Sequence, residues 1–182
     1  MERFAATFPT LLLATFLTLL LAGMLSAQSG LDSIKQVRQI DMLAWLNGGV
    51  WTADAALLGP GMVRIETRYA WSDNQAFLRF NTHFVMDKGV LKNYDGQFFW
   101  DREQNALEIW YMDASNAITH GPVRIEGNEM QITFHGPDFA GQPADLRVKV
   151  TRRTADHYTW RLEERGEAGW KQLAQLEYLR TN

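Results

Sequence analysis

The feature that most constrains this chain is a period of two in its apolar residues. In four segments, apolar residues (with one threonine) occupy every second position and polar residues fill the positions between. The positions are Val63, Ile65, Thr67, Tyr69 and Trp71, then Met130, Ile132 and Phe134, then Leu146, Val148 and Val150, then Tyr158, Trp160 and Leu162. This period predicts β-strands with one buried face and one solvated face.

Clusters of turn-forming residues separate the apolar segments. They are Ser72–Asn74, Asp87–Gly89, Asp95–Gly96, Gly127–Asn128, Thr154–Asp156 and Gly166–Gly169, with further breaks at Gly59–Gly61, Gly121–Pro122 and Gly136–Pro137. Their spacing is typical of a meander and predicts about ten strands between Val50 and Arg180. The segment from Trp170 to Leu179 fits a helix as well as a strand, and we interpret it as a strand because it extends the meander.

The absence of long helical patterns between these segments excludes parallel βαβ units. An antiparallel sheet of this many strands is most stable when closed, because closure removes its edges. The sequence therefore predicts an all-β fold, an antiparallel up-and-down barrel.

The N-terminus predicts a signal peptide over residues 1–27. A charged start at Met1–Arg3 precedes the apolar run Leu11–Leu25, and the small residues Ser26 and Ala27 follow. We expect cleavage after Ala27 and export to the periplasm or the medium. The alternative is an N-terminal membrane anchor, with the domain outside the cytoplasm, because the run approaches the length of a membrane span. The chain has no cysteine, which excludes a lipoprotein anchor and a disulfide framework.

Residues 28–48 predict a lead-in with one amphipathic helix, before a barrel domain over 49–182. Apolar residues from Leu31 to Leu46 fall at helical spacing, and Gly48 and Gly49 end the pattern. We expect this helix to close one end of the barrel. In the anchored alternative it would instead link the membrane to the domain.

The formal net charge of −3 gives no electrostatic attraction to nucleic acid or anionic membranes. We therefore expect no nucleic-acid partner, and no membrane contact apart from the signal segment if it is uncleaved. The oligomeric state is left open.

Three short motifs carry a resemblance to a known family. Leu46-Asn47-Gly48-Gly49-Val50-Trp51 opens the first strand, Asp156–Trp160 opens the penultimate strand, and Leu176-Glu177-Tyr178-Leu179-Arg180 closes the last one. In these motifs the chain resembles lipocalin-like bacterial domains of the DUF1579 type. The resemblance implies a lipocalin-like barrel in which Trp51 and Arg180 meet at the closed end as a structural pair, with the guanidinium on the indole.

The DUF1579 type has no settled common chemistry to carry over to this chain, and we expect no cofactor. The nitrobindins, a neighbouring barrel family, bind haem through a histidine near the C-terminus, and this chain has no histidine after His157.

Titratable residues do not predict a catalytic or metal site. Three of the four histidines, His83, His135 and His157, lie on the polar faces of predicted strands; the fourth is His120. We expect solvated imidazoles and no metal centre, because a metal needs three or four converging ligands. The candidate carboxylates are Asp95, Asp101, Asp113 and Glu66, and the three aspartates fall in predicted turns.

The aromatic residues are the one feature that predicts a function. The set expected to line the barrel interior is Tyr69, Trp71, Phe80, Phe84, Phe98, Trp110, Tyr158 and Trp160. Such side chains either fill the interior or line a cavity for one small apolar or aromatic molecule. Phe98, Phe99 and Trp100 are consecutive, so at least one of them faces outward.

Three hypotheses follow. The first is a binding protein that holds a small hydrophobic ligand inside the barrel. The second is a barrel enzyme of isomerase or hydrolase type that uses a buried carboxylate or tyrosine. The third is a filled barrel that acts through its surface as an interaction module.

Overall fold

The structure, a computed structural model, describes residues 39–138 and 141–181, with the backbone alone at 91–93. The predicted signal peptide over 1–27 and the first part of the predicted helix, residues 31–38, lie outside this range and stay predictions. Among the described residues, no helix has both the length and the apolar character needed to cross a lipid bilayer.

Ten antiparallel strands form a closed barrel in which each strand pairs with its sequence neighbours and β1 pairs with β10. The strands are β1 (Val50–Asp54), β2 (Met62–Trp71), β3 (Phe77–Met86), β4 (Gly89–Asp101), β5 (Ala106–Asp113), β6 (Ile118–Glu126), β7 (Glu129–Pro137), β8 (Pro143–Arg152), β9 (His157–Gly166) and β10 (Gly169–Thr181). The predicted up-and-down barrel is confirmed, and Trp170–Leu179 is a strand as expected.

The up-and-down order gives the barrel two different ends. One end, which we call the helix end, carries the chain entry into β1, the exit from β10 and the connections β2–β3, β4–β5, β6–β7 and β8–β9. The other end, which we call the mouth, carries the remaining connections. A 3-10 turn at Ala56–Leu58 lies at the mouth, in the connection between β1 and β2.

The described part of the predicted helix closes the helix end. Residues 39–41 are helical and a 3-10 turn follows at Ala44–Leu46. Ile40, Leu43 and Leu46 are buried in the same core as Trp51. Burial of these aliphatic side chains over the barrel end removes apolar surface from water, which favours this position over a solvated linker.

Two of the predicted turns lie inside strands, and the predicted break at Gly136–Pro137 is the paired end of β7. Asp95–Gly96 belongs to β4, where a Cβ at Gly96 would lie 2.5 Å from Tyr111 Cβ, so glycine is needed for close packing. Gly121–Pro122 belongs to β6, although the regular pairing of β6 with β7 covers only Val123–Glu126 against Glu129–Ile132. A glycine in this sequence therefore indicates either a turn or, as at Gly96 and Gly121, a strand position where a neighbouring strand approaches too closely for a side chain.

The strand face predicted for Val63 is wrong. Ile65 and Thr67 face the core as expected, but Val63 is exposed. A register shift between Met62 and Arg64, where β2 pairs with β3, breaks the alternation at this strand end.

Candidate functional site: the barrel interior and its mouth

Trp51 and Arg180 meet at the helix end of the barrel. They are directly opposite each other in the β1–β10 pairing, and the Arg180 guanidinium carbon lies 4.5 Å from the centre of the Trp51 ring. The indole of Trp51 is fully buried and donates through Nε1 to the carbonyl oxygen of Leu46 at 2.8 Å. Trp51 and Arg180 are therefore in contact, as the resemblance implied. The hydrogen bond to Leu46 also attaches residues 39–49, which we call the closing segment, to β1.

Aromatic rings fill this closed end. Trp45 packs edge-on against Trp51 at 5.7 Å and against Tyr158 at 5.6 Å, and Tyr158 stacks on Tyr178 at 4.7 Å. These distances are in the favourable range for aromatic pairs. The helix end is therefore a packed core.

A second group of rings lies nearer the mouth. We call it the mouth cluster: Phe80, Phe84, Tyr94, Tyr111 and Phe134. Each member is within 5.5–6.3 Å of another, measured between ring centres. All five are only half-buried, although Leu78, Ile109 and Ile132, which lie two residues further toward the helix end than Phe80, Tyr111 and Phe134, are buried.

Hydroxyl groups lie inside the barrel between the two groups of rings. The buried Thr67 shares a hydrogen bond of 2.9 Å with Thr82 on the neighbouring strand. Tyr178 hydrogen-bonds to Thr67, and Tyr69 to Tyr158. Thr119 hydrogen-bonds to Tyr111 within the mouth half.

Burial keeps these tyrosines protonated. Burial raises the pKa of Tyr69 to about 12. The hydrogen bond with Tyr158 lowers this pKa, but by less than burial raises it. Burial also raises the pKa of Tyr111 to about 12, and raises the pKa values of Tyr158 and Tyr178 well above their usual value. At neutral pH the phenols are therefore neutral hydrogen-bond donors and acceptors.

Seven of the eight residues predicted to line the interior face inward, and they form two groups. Phe80 and Phe84 belong to the mouth cluster, and Tyr69 contacts Phe80 at 6.0 Å. Phe98 and Tyr158 are buried, while Trp71 and Trp160 are half-buried and pack against the core. These four belong to the packing of the barrel.

The prediction that Trp110 lines the interior is wrong. Leu107 and Ile109 on β5 face the core, so Trp110 faces outward, opposite Gln97 and His120 on the neighbouring strands. The run Ile109-Trp110-Tyr111-Met112 is apolar throughout, so it has no alternation from which its inward face could be read.

The predicted set does not include three rings of the mouth cluster, Tyr94, Tyr111 and Phe134. Phe134 continues the alternation of Met130 and Ile132, and Tyr111 stands two residues after Ile109. Tyr94 is preceded by polar residues in β4 and has no comparable signal.

The four histidines lie on the outer face of their strands, beside inward residues such as Phe84, Phe134 and Tyr158. His135 contacts Asp145 at 3.1 Å and His157 contacts Glu177 at 2.9 Å. Within the described part of the chain, no group of three histidine, aspartate or glutamate side chains is placed to hold a metal.

The predicted carboxylate candidates do not converge inside the barrel. Asp101 accepts hydrogen bonds from the backbone of Glu103 and Gln104, and Asp113 does the same for Ser115 and Ala117, as turn residues do. Asp95 lies within β4 and accepts a hydrogen bond from Asn81 on the outer face. Glu66 pairs with Arg64 at 2.7 Å, also outside.

Exposed aliphatic side chains surround the mouth. Leu57 lies in the β1–β2 connection, Val63 near the start of β2, Val90 at the start of β4 and Ile118 at the start of β6, and their exposed fractions are 93%, 40%, 61% and 58%. The mouth therefore combines an apolar rim with an aromatic interior.

Comparisons with known proteins show the fold alone. No protein-family model matches the chain, and no curated protein sequence matches it. Among solved structures, the chain is similar to Rv2717c from M. tuberculosis, with a TM-score of 0.50 and 15% sequence identity over 79% of this chain and 97% of that one.

Proposed function

We propose that this protein binds one small apolar or aromatic molecule in the mouth half of its barrel. The observation that carries the proposal is the partial exposure of the mouth cluster. Its rings face inward and contact one another, yet they keep accessible surface that a filled interior would remove. Apolar concave surfaces of this kind are the usual setting for small-molecule sites.

The interior hydroxyls indicate that the ligand also carries an uncharged polar group. Because burial holds Tyr69 and Tyr111 in the protonated state, each can donate to or accept from an uncharged polar group. We therefore expect a ligand with a mainly apolar body and a hydroxyl or carbonyl group. The apolar rim at Leu57, Val90 and Ile118 would give such a molecule a continuous apolar path into the barrel.

The test uses N-phenyl-1-naphthylamine, a neutral aromatic probe whose fluorescence rises in an apolar site. We expect saturable binding that Phe84→Ser weakens about tenfold, because a ring that contacts the probe is lost. Phe77→Ser is the matched control: Phe77 lies on the same strand, is half-buried and faces outward beside the buried Leu78. Equal loss of affinity in both variants, or no binding by the unmodified protein, would overturn the proposal.

Native mass spectrometry of the protein purified from its own host identifies the ligand class. A mass excess that disappears on denaturation is expected. The predicted export is tested on the same sample, because cleavage after Ala27 gives a chain that begins at Gln28.

The enzyme alternative would need an inward acid or base. The interior groups described above are hydroxyls with raised pKa values, which are poor bases at neutral pH. We therefore prefer binding to catalysis for the interior.

A further inference from the structure

An open groove in the outer wall contains a nearly buried carboxylate. The groove has a volume of about 400 Å³ and lies where the regular pairing of β6 with β7 has stopped. Glu108 on β5 is 6% exposed and lines this groove, together with His120, Pro122, Phe134 and His135. The volume is within the range of small-molecule sites.

Glu108 has no hydrogen bond or ion pair to any residue that the structure describes. The other buried carboxylate, Glu163, is paired with Arg147 through contacts of 2.5 and 2.6 Å. Neither carboxylate oxygen of Glu108 is among the fully buried side-chain atoms that lack a hydrogen-bond partner, so the carboxylate keeps a small contact with solvent. A carboxylate with so little solvent contact and no partner is costly. The groove that it lines is the direction from which a partner can reach it.

The neighbours of Glu108 explain its poor solvation. The residues opposite it are Phe99 on β4 and Pro122 on β6, and neither side chain can donate a hydrogen bond. Pro122 also has no N–H, so the backbone offers no donor at that position. Burial, with a further contribution from Asp101, raises the pKa of Glu108, and His120 offsets this only in part.

The charges around the groove favour a cation. Asp101 adds a second negative charge near Glu108, and neither lysine nor arginine is among the lining residues. The titratable groups that face Glu108 or line the groove are Asp101 from β4, His120 from β6 and His135 from β7, which is held by Asp145. Ile118, Pro122 and Phe134 supply apolar walls.

We propose that this groove binds a small organic amine, with the ammonium group against the Glu108 carboxylate and the carbon body against Ile118, Pro122 and Phe134. An ammonium donates up to three hydrogen bonds, so it can satisfy the carboxylate. The groove opens on the outer wall but shares Phe134 and Ile118 with the site proposed for the mouth half, so Glu108, which the mouth site does not use, distinguishes the two.

The test is a titration with benzylammonium followed by NMR. We expect shifts of the amides of β5, β6 and β7 around the groove, and binding about tenfold weaker in Glu108→Gln, which keeps the shape and removes the charge. Glu103→Gln is the matched control, because Glu103 is an exposed acid in the adjacent turn. Benzyl alcohol, which has the same ring and no charge, belongs to the class of ligand proposed for the mouth half, so the readout is the amide of Glu108 and its neighbours, which benzyl alcohol should not shift.

A second readout is the titration of the Glu108 carboxyl carbon with and without benzylammonium. The bound cation stabilises the charged form, so the pKa of Glu108 should fall on binding, and affinity should be lost as the pH falls through it. Unchanged titration of Glu108, equal affinity in Glu108→Gln, or equal shifts of the amides beside Glu108 with benzyl alcohol would each overturn the proposal.

Discussion

At the scale of the residue, Arg180 joins three parts of the chain that are far apart in sequence. Its guanidinium covers the Trp51 ring and donates to the carbonyl oxygens of Trp45, Asn47 and Ala155. These carbonyls belong to the closing segment and to the β8–β9 turn. A planar group with several fixed donors is needed to serve all of them at once.

Replacing Arg180 with lysine should lower the free energy of unfolding by roughly 1–3 kcal/mol, because a single ammonium cannot replace the forked donors. Urea unfolding measures the change. Arg68→Lys, at an exposed position on β2, should change stability by less than about 0.5 kcal/mol. Equal effects of the two substitutions would contradict the role given to the guanidinium.

Whereas Arg180 stabilises the folded protein, the ionised Glu108 carboxylate should destabilise it. Its folded pKa is raised, so the native state holds the proton more tightly than the unfolded state does, and stability falls as the pH rises from the unfolded pKa through the folded one. Glu108→Gln should therefore be more stable at pH 7, by roughly 1 kcal/mol.

This gain should disappear below the unfolded pKa of glutamate, where the carboxyl is protonated in both states. Thermal unfolding at neutral and acid pH measures it, with Glu103→Gln as the control. A loss of stability at pH 7 would show that Glu108 has a partner in the folded protein.

At the scale of the element, two glycines allow strands and rings to approach closely. A Cβ at Gly121 on β6 would lie 2.0 Å from the carbonyl oxygen of Thr133 on β7. A Cβ at Gly96 on β4 would lie 2.5 Å from both Phe80 Cζ and Tyr111 Cβ. These contacts set the spacing of the rings in the mouth cluster.

Gly96→Ala should therefore destabilise the protein by roughly 1–3 kcal/mol, because neighbouring strands must move apart. It should also weaken binding of N-phenyl-1-naphthylamine. Gly136→Ala on β7 is the control: its nearest contact would be 3.5 Å, from Phe134 Cδ2, and it should be neutral or slightly stabilising. Thermal unfolding distinguishes the two, and a neutral Gly96→Ala would contradict the packing argument.

At the scale of the whole molecule, the two ends of the barrel differ in packing. Trp51, Leu46 and Leu78 are fully buried at or near the helix end, whereas inward rings near the mouth keep exposed surface. Local stability follows the burial of apolar surface. The helix half should therefore be the more stable part of a single barrel.

Hydrogen exchange should show this difference. We expect slower exchange for amides in the helix half of each strand than in the mouth half, and added protection of the mouth half when the neutral aromatic probe binds. The helix half is the internal control, since its protection should change less. Uniform protection along the strands would contradict the proposed division.

The strands, their up-and-down order and most of their inward faces could be predicted from the sequence, because side-chain alternation is a local property of extended backbone. The sequence also indicated the pair of Trp51 and Arg180, through a family resemblance whose assignment to the DUF1579 type stays a prediction. It failed at Trp110, where the run is apolar on both faces. The depth of each inward ring along the barrel axis is visible only in the three-dimensional structure. The same is true of the groove in which the Glu108 carboxylate has no hydrogen-bond partner among the described residues. Both depend on distances between strands that barrel closure sets, and no local pattern contains those distances.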